Sequence, residues 1–374
     1  MLKDSISASP RLLFVDALRG IAALMVTLYH FTGNYPAIPA GPHDVPTFRD
    51  LFEAVALHGG CGVDIFFAIS GFVIAYSLRN LKATGRNAGI FVLRRSLRLD
   101  PPYLVTLFGA LGCAALSRLL LHDSAAYVPA SWIDCLVNMV YLQDFLHVRA
   151  VVAVAWTLCI EIQFYLVFVL IWWLTQRVGA PSLFLVATLG SLTAWSLLIR
   201  FQLVPEPLPG LFIEHWYLFQ LGMLVCWTLV GRIHGAWLAA AATAAAGLLA
   251  LRWHSPTVVG LATALSIYAT GKAGHLGDWL AWKPLQYLGR RSYSIYLVHT
   301  IVGSRVMNIM WRLTGGAPSF STTLVFMVPA LLATLVAAEL LYRWVEKPSV
   351  EIAKRLKGAR EEPPAPVSAT RMAA

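Results

Sequence analysis

The chain is built from long apolar runs separated by short polar breaks. Ten apolar segments read as spanning helices, at roughly 13–32, 58–78, 99–121, 152–174, 182–203, 211–230, 235–251, 257–271, 290–312 and 321–343. A further stretch, 132–146, carries Asp134, Asn138, Gln143 and Asp144. It is too short and too polar to span, and the pattern predicts a re-entrant or interfacial helix there. The expected fold is all-α: a polytopic membrane protein with about ten transmembrane helices plus that one extra helix. Residues 1–350 are expected to form one transmembrane domain, and 351–374 a basic, disordered cytoplasmic tail rich in proline.

Composition agrees with this reading. Apolar residues make up 58% of the 374 and charged residues only 13%, which excludes a disordered chain. The net charge of +10 raises nucleic acid as a partner, but the basic residues collect in alternate loops. One loop alone holds Arg79, Lys82, Arg86, Arg94, Arg95 and Arg98, whereas the opposite loops hold isolated arginines such as Arg149 and Arg200. That is membrane topology, not a nucleic-acid footprint, and it puts both termini in the cytoplasm. The five cysteines form no disulfide or metal framework, and no metal is expected. Asp16 and Arg19 interrupt the first apolar run, so no cleavable signal peptide is expected.

Polar residues inside the apolar segments carry the chemistry, because ionisable groups are costly in lipid and usually mark a site. Arg19 and His30 stand eleven residues apart in the first segment. Eleven steps of ~100° return to within ~20° of the start, so the two share a helix face, ~16 Å apart along the axis. With the topology above, Arg19 lies in the inner half and His30 near the outer mouth. Asp64, Ala68 and Gly71 share a face of the second segment, and the small residues invite close approach by another helix or a ligand. In the fourth segment Thr157, Glu161 and Tyr165 share a face, next to Trp156. The ninth segment brings Ser292, Tyr296 and His299 along one side.

These positions suggest charge-separated chemistry. Arg94, Arg95 and Arg98, just before Tyr103, suit the phosphates of a donor at the cytoplasmic face, since guanidinium groups bind phosphate bidentately. They also fit ordinary positive-inside anchors. His30 suits a general base, with Glu161 or Asp64 as the carboxylate that orients it and stabilises imidazolium. Glu339 and Arg343, at i and i+4, read as a structural pair.

With these residues in place, the chain resembles the acyltransferase-3 family of bacterial membrane acyltransferases. The resemblance rests on Asp16-Ala17-Leu18-Arg19-Gly20 with His30, on Gly62-Val63-Asp64-Ile65-Phe66-Phe67 through Gly71-Phe72, and on Arg95-Ser96-Leu97-Arg98-Leu99 before Pro102-Tyr103. It continues through Trp156-Thr157-Leu158 with Glu161 and Phe164-Tyr165, Ser292-Tyr293-Ser294-Ile295-Tyr296-Leu297-Val298-His299, and Val345-Glu346-Lys347-Pro348. It implies O-acyl transfer, commonly of acetyl, from cytoplasmic acyl-CoA to a hydroxyl of a carbohydrate or glycolipid such as lipopolysaccharide O-antigen, exopolysaccharide or a lipo-oligosaccharide. It also implies a location in the bacterial inner membrane among its lipids.

By similarity His30 is the catalytic base, supported by Glu161 or Asp64, and Arg19 is a coenzyme-side residue. Arg94, Arg95, Arg98 and Tyr103 would join Arg19 in binding acyl-CoA, and Trp156, Tyr165, Tyr296 and His299 would contact substrate. Direct attack on the thioester and an acyl-histidine intermediate both remain open. Asp100-Pro101 departs from the family pattern before Pro102 and bears on where the third helix starts. No C-terminal esterase-like domain is expected, so a single-component reaction is the expectation, with completion by a separate partner protein as the alternative. The rival reading is a proton-coupled transporter or flippase of a lipid-linked glycan, since buried carboxylates and histidines also build proton relays. Against it, the two halves show no repeat symmetry.

Overall fold

The computed structural model describes residues 11–32, 48–121, 128–129, 131–314 and 319–356. Among them, regular structure is helical throughout, with no β-ladder. The tail beyond residue 356 lies outside the described residues.

Six helical stretches are long and apolar enough to cross a membrane among the described residues. Helix α1 runs Leu13–Thr32. After a short amphipathic helix, α2 (Phe48–Leu57), a single tight turn His58–Cys61 leads into α3 (Gly62–Leu78). Helix α4 is Gly85–Leu121, and the polar stretch after it supplies only the two-turn α5 (Trp132–Met139), which starts in a Ser131/Asp134 capping box. Helices α6 (Ala155–Leu174) and α7 (Pro181–Arg200) follow. The turn Phe212–His215 opens α8 (Trp216–Leu229), followed by α9 (Gly235–Leu251) and α10 (Ser255–Ala273). Each of the ten apolar segments therefore lies on helix, but those at 211–230, 235–251, 257–271 and 290–312 fall short of a single long apolar span.

Three elements differ from the sequence pattern. The third helix starts at Gly85 rather than near residue 99, so Arg94, Arg95 and Arg98 sit within it. Pro101 and Pro102 remove two backbone donors without ending it. Local bonds cover the step: Ser96 donates to the Asp100 carboxylate, Tyr141 donates to the same group at 3.1 Å, and Thr106 caps the Pro102 carbonyl at 2.8 Å.

The ninth segment is broken into α11 (Lys283–Arg290), α12 (Ser292–Val298), a π-turn at His299–Gly303 and α13 (Ser304–Leu313). Helix α14 (Phe320–Leu341) passes through a second π-turn, Tyr342–Glu346, into α15 (Lys347–Arg355). Helix α15 packs on α4, so residues 351–355 belong to the bundle and not to the tail.

The core centres on α3 and α8. A Cβ at Gly71 would collide with the Phe219 carbonyl, and one at Gly222 with the Ala68 carbonyl. The small-residue face read from the sequence is thus where α8 crosses α3 backbone to backbone. The outside is also apolar. Val325, Val328, Leu332 and Val336 form a stripe on α14, each more than half exposed. Water would not tolerate such a stripe on every helix, but lipid solvates it. Exposed tryptophans Trp253, Trp279 and Trp282 lie between helices, as in an interfacial belt.

Candidate active site

His30 and His299 meet in the bundle, with His299 Nε2 3.2 Å from His30 Nδ1. Each ring also touches a backbone carbonyl through Nδ1: His30 with Val26 O at 2.9 Å, and His299 with Tyr296 O at 2.7 Å. A carbonyl only accepts, so each Nδ1 carries the hydrogen. Neutral His299 is then an acceptor at Nε2 for the shared His30 N–H, and the basic lone pair of His30 lies on its own Nε2. The π-turn beginning at His299 sets this ring's position, and such turns recur at functional sites.

The helix before that turn is wired to the bundle through nearly every polar side chain. Arg19 Nε donates to Ser292 Oγ at 3.1 Å, and Tyr293 donates to the Leu99 carbonyl at 2.7 Å. Ser294 donates to Glu346 at 2.6 Å, and Tyr296 OH lies 2.8 Å from Thr157 Oγ1. One seven-residue helix thereby fixes α1, α4, α6 and the second π-turn around the histidine pair. The partner of Ser294 was not foreseen. Glu346 lies in the Val-Glu-Lys-Pro motif, and only tertiary structure brings it back.

A cavity lies between these helices. Its wall includes Arg19, Arg95, Arg98, Glu161, Tyr165 and Tyr296, all chosen from the sequence. Glu161 accepts hydrogen bonds from Ser70 at 2.6 Å and from Tyr165. It does not bond to His30. The Arg95 guanidinium carbon lies 5.3 Å from the Tyr165 ring centre, a cation–π arrangement. Through Val73, Arg95 and Arg98 the cavity adjoins a second hollow, which adds Arg94 and Lys354. Lys354 gave no signal in the sequence beyond its charge, because it belongs to a helix the apolar pattern does not mark.

The remaining candidates lie elsewhere. Asp64 is buried and Trp156 half-exposed, and both line a cleft reached from the other end of α1, together with Tyr29, Arg200, Glu214 and His215. Tyr103 is fully buried away from the cavity wall, stacked on Tyr141 at 4.6 Å and donating to the Asn138 carbonyl at 2.8 Å. Glu339 binds both Arg343 and Arg291, as a structural pair should.

The fold is thus a bundle of apolar helices holding a cationic cavity and a histidine pair linked to its wall through Tyr296. The acyltransferase-3 family model, described as an acyltransferase domain, matches residues 12–343. The chain belongs to this family, and its class is that of acyltransferase enzymes. It is 24% identical to "Putative peptidoglycan O-acetyltransferase YrhL" of Bacillus subtilis (strain 168), over 89% of this chain and 54% of that protein. The chain thus spans about half the length of that relative. It is 27% identical to "Nodulation protein 10" of Rhizobium leguminosarum bv. viciae, over 79% of this chain and 84% of that one. It is 24% identical to "Acyltransferase MdmB" of Streptomyces mycarofaciens, over 82% and 84%. No solved structure gives a significant match.

Proposed function

We propose that this chain transfers an acyl group, acetyl in the simplest case, from acyl-CoA to a hydroxyl of a carbohydrate or glycolipid. The observation that carries the reading is the run of cationic side chains from Arg94 and Lys354 through Arg95 and Arg98 to Arg19, along two adjoining hollows whose wall includes Tyr296, a ring 5.7 Å from that of His299. An anionic donor with a long flexible arm suits that path. Its phosphates sit at Arg94, Arg95, Arg98 and Lys354, and its arm passes Arg19, Tyr165 and Glu161. Its thioester reaches the Tyr296 end.

His30 then takes the proton of the acceptor hydroxyl as its oxygen attacks the thioester carbonyl. The C–S bond breaks, the ester forms, and the proton passes to the coenzyme thiolate. His299 holds the tautomer of His30 and replaces Glu161 and Asp64 in that positioning role. The enzyme unit is the bundle of residues 1–350 extended through α15. It crosses the bacterial inner membrane ten times, both termini are cytoplasmic, and donor and acceptor approach from opposite faces.

Purified full-length protein in lipid nanodiscs, given acetyl-CoA and membranes bearing surface glycan, should release free CoA and yield acetyl ester on the glycan by mass spectrometry. A transporter or flippase would move glycan without releasing CoA, and that result would replace the reading.

A further inference from the structure

The cleft at the far end of α1 is a built site. It lies between two loops, 141–148 and 201–215, and continues past Trp156 to Tyr29, next to His30. Gln163 of α6 pins the second loop, donating to the Gly210 carbonyl at 2.9 Å and accepting from Phe212 N–H at 3.1 Å. Gly210 has φ +79°, and a Cβ there would press on Asp144 at 2.7 Å. Among the described residues, three of the four non-glycine residues with positive φ, Tyr141, His147 and Gln202, fall in these two loops, and His147 lines the cleft itself. Such backbone is strained and persists where the surroundings enforce it.

Polar atoms in this cleft want partners. Gln143 is fully buried as a residue, yet neither its amide nitrogen nor its amide oxygen is bonded among the described residues. His215 is 8% exposed, and its Nδ1 is likewise unbonded. A buried polar atom left so is destabilising, and a ligand supplying both donor and acceptor removes that cost. The half-exposed Trp156 ring, 5.9 Å from the His215 ring, offers a flat apolar face beside them. A flat ring next to paired donors and acceptors suits a sugar, which is apolar on its C–H face and ringed by hydroxyls.

Charge decides which sugar. The cationic path holds Arg19, Arg94, Arg95, Arg98 and Lys354 against one carboxylate, Glu161. The far cleft is the reverse. Asp64, Asp144, Glu206 and Glu214 face it with only Arg149 and Arg200, and Arg200 is tied to Glu214. Burial and the neighbouring Glu214 push the Glu206 carboxyl up, as crowded acids do. A cleft lined by an excess of one sign repels ligands of that sign.

We propose that this cleft, formed by Gln143, Trp156, Glu206, Glu214 and His215, is the acceptor site and that it selects uncharged over anionic glycans. The proposal rests on the transferase reading and adds the acceptor's chemical class.

The test uses full-length protein in nanodiscs and two probes with the same sugar backbone and different charge states, trigalacturonic acid and its fully methyl-esterified, neutral form. Binding is read by microscale thermophoresis, and CoA binding is read separately on each variant. The neutral probe should bind severalfold more tightly than the acid. Gln143→Leu should lose the neutral probe while CoA affinity stays unchanged. Gln143 is buried, so exposed Glu206 supplies a second variant: Glu206→Lys should raise affinity for the acid form and leave CoA affinity alone. Equal affinity for the two probes, binding of neither, or an unmoved preference in Glu206→Lys would overturn the proposal. Loss of CoA binding by the wild-type chain would instead strike the transferase reading.

Discussion

The imidazole of His299 sits 3.2 Å from that of His30 although the two are 269 positions apart in the chain. The contact joins α1 to the π-turn after α12 and places a neutral ring where a carboxylate partner was expected. Two neutral histidines with Nδ1–H fixed by carbonyls form a directional pair. A carboxylate would add charge stabilisation of imidazolium, whereas in the proposed mechanism the role of His299 is to orient its partner.

His30→Ala should lower transfer by ~10²–10⁴, the usual contribution of a general base. His299→Gln keeps an acceptor near Nε2 and should retain more activity than His299→Ala. If the pair acts as a unit, the double alanine variant should be about as slow as the worse single one. Initial rates of CoA release on protein of matched yield provide the check, and strictly multiplicative losses would mean that His299 does not act through His30.

Glu161 couples in a different direction. It accepts from Ser70 and Tyr165 in the cavity wall and has no bond to His30. Glu161→Gln and Tyr165→Phe should therefore be non-additive with each other but additive with His299→Ala. Donor KM should rise in the first two, because they shape the cavity the arm passes through. A double-mutant cycle in which Glu161 couples to His30 instead would restore the carboxylate–histidine assignment.

How far the sequence reached is visible in these same residues. The Arg19-to-His30 spacing, the small face at Ala68 and Gly71, and the stripe Thr157-Glu161-Tyr165 follow from helical period and are all in place. The partner of His30 was not legible, because three buried ionisable groups at similar depth differ only in tertiary direction. The histidine pair depends on a π-turn, for which the apolar pattern has no signature. Nor was the start of α4, since a Pro-Pro pair ordinarily breaks a helix and here does not. Gln143 lay in the stretch read as interfacial or re-entrant and His215 near the start of the span read at 211–230, and only their unbonded atoms in the folded cleft draw them out.

Donor affinity should grade along the cationic path. Arg95 and Arg98 line both hollows, whereas Arg94 and Lys354 line only the second. Arg95→Ala and Arg98→Ala should each cost ~1.5–3 kcal/mol in CoA affinity, the range for hydrogen bonds to charged groups. Arg94→Ala and Lys354→Ala should cost less and depend more on salt, since a more open site is screened. Arg→Lys at 95 or 98 should recover only part of the loss, because the fork geometry is gone. Titration calorimetry at two ionic strengths tests this, and equal losses at all four positions would reduce the cluster to a diffuse anchor.

Sidedness ties these assignments together. The proposed topology puts the loop before α4 in the cytoplasm and the loop after α7 outside. In a background with the native cysteines replaced by alanine, Gly85→Cys should resist an impermeant maleimide in intact cells and react after permeabilisation. Gln202→Cys should react in both states. Both positions are exposed in the fold, so burial does not mask the outcome. The two cysteines also sit at opposite ends of the Arg19–His30 axis, the first near the cationic hollows and the second near the acidic cleft. Labelling of Gly85→Cys from outside would place the arginines away from the cytoplasmic acyl-CoA pool. The donor path would then have no substrate, and a proton-coupled glycan carrier would become the better account of the buried histidines.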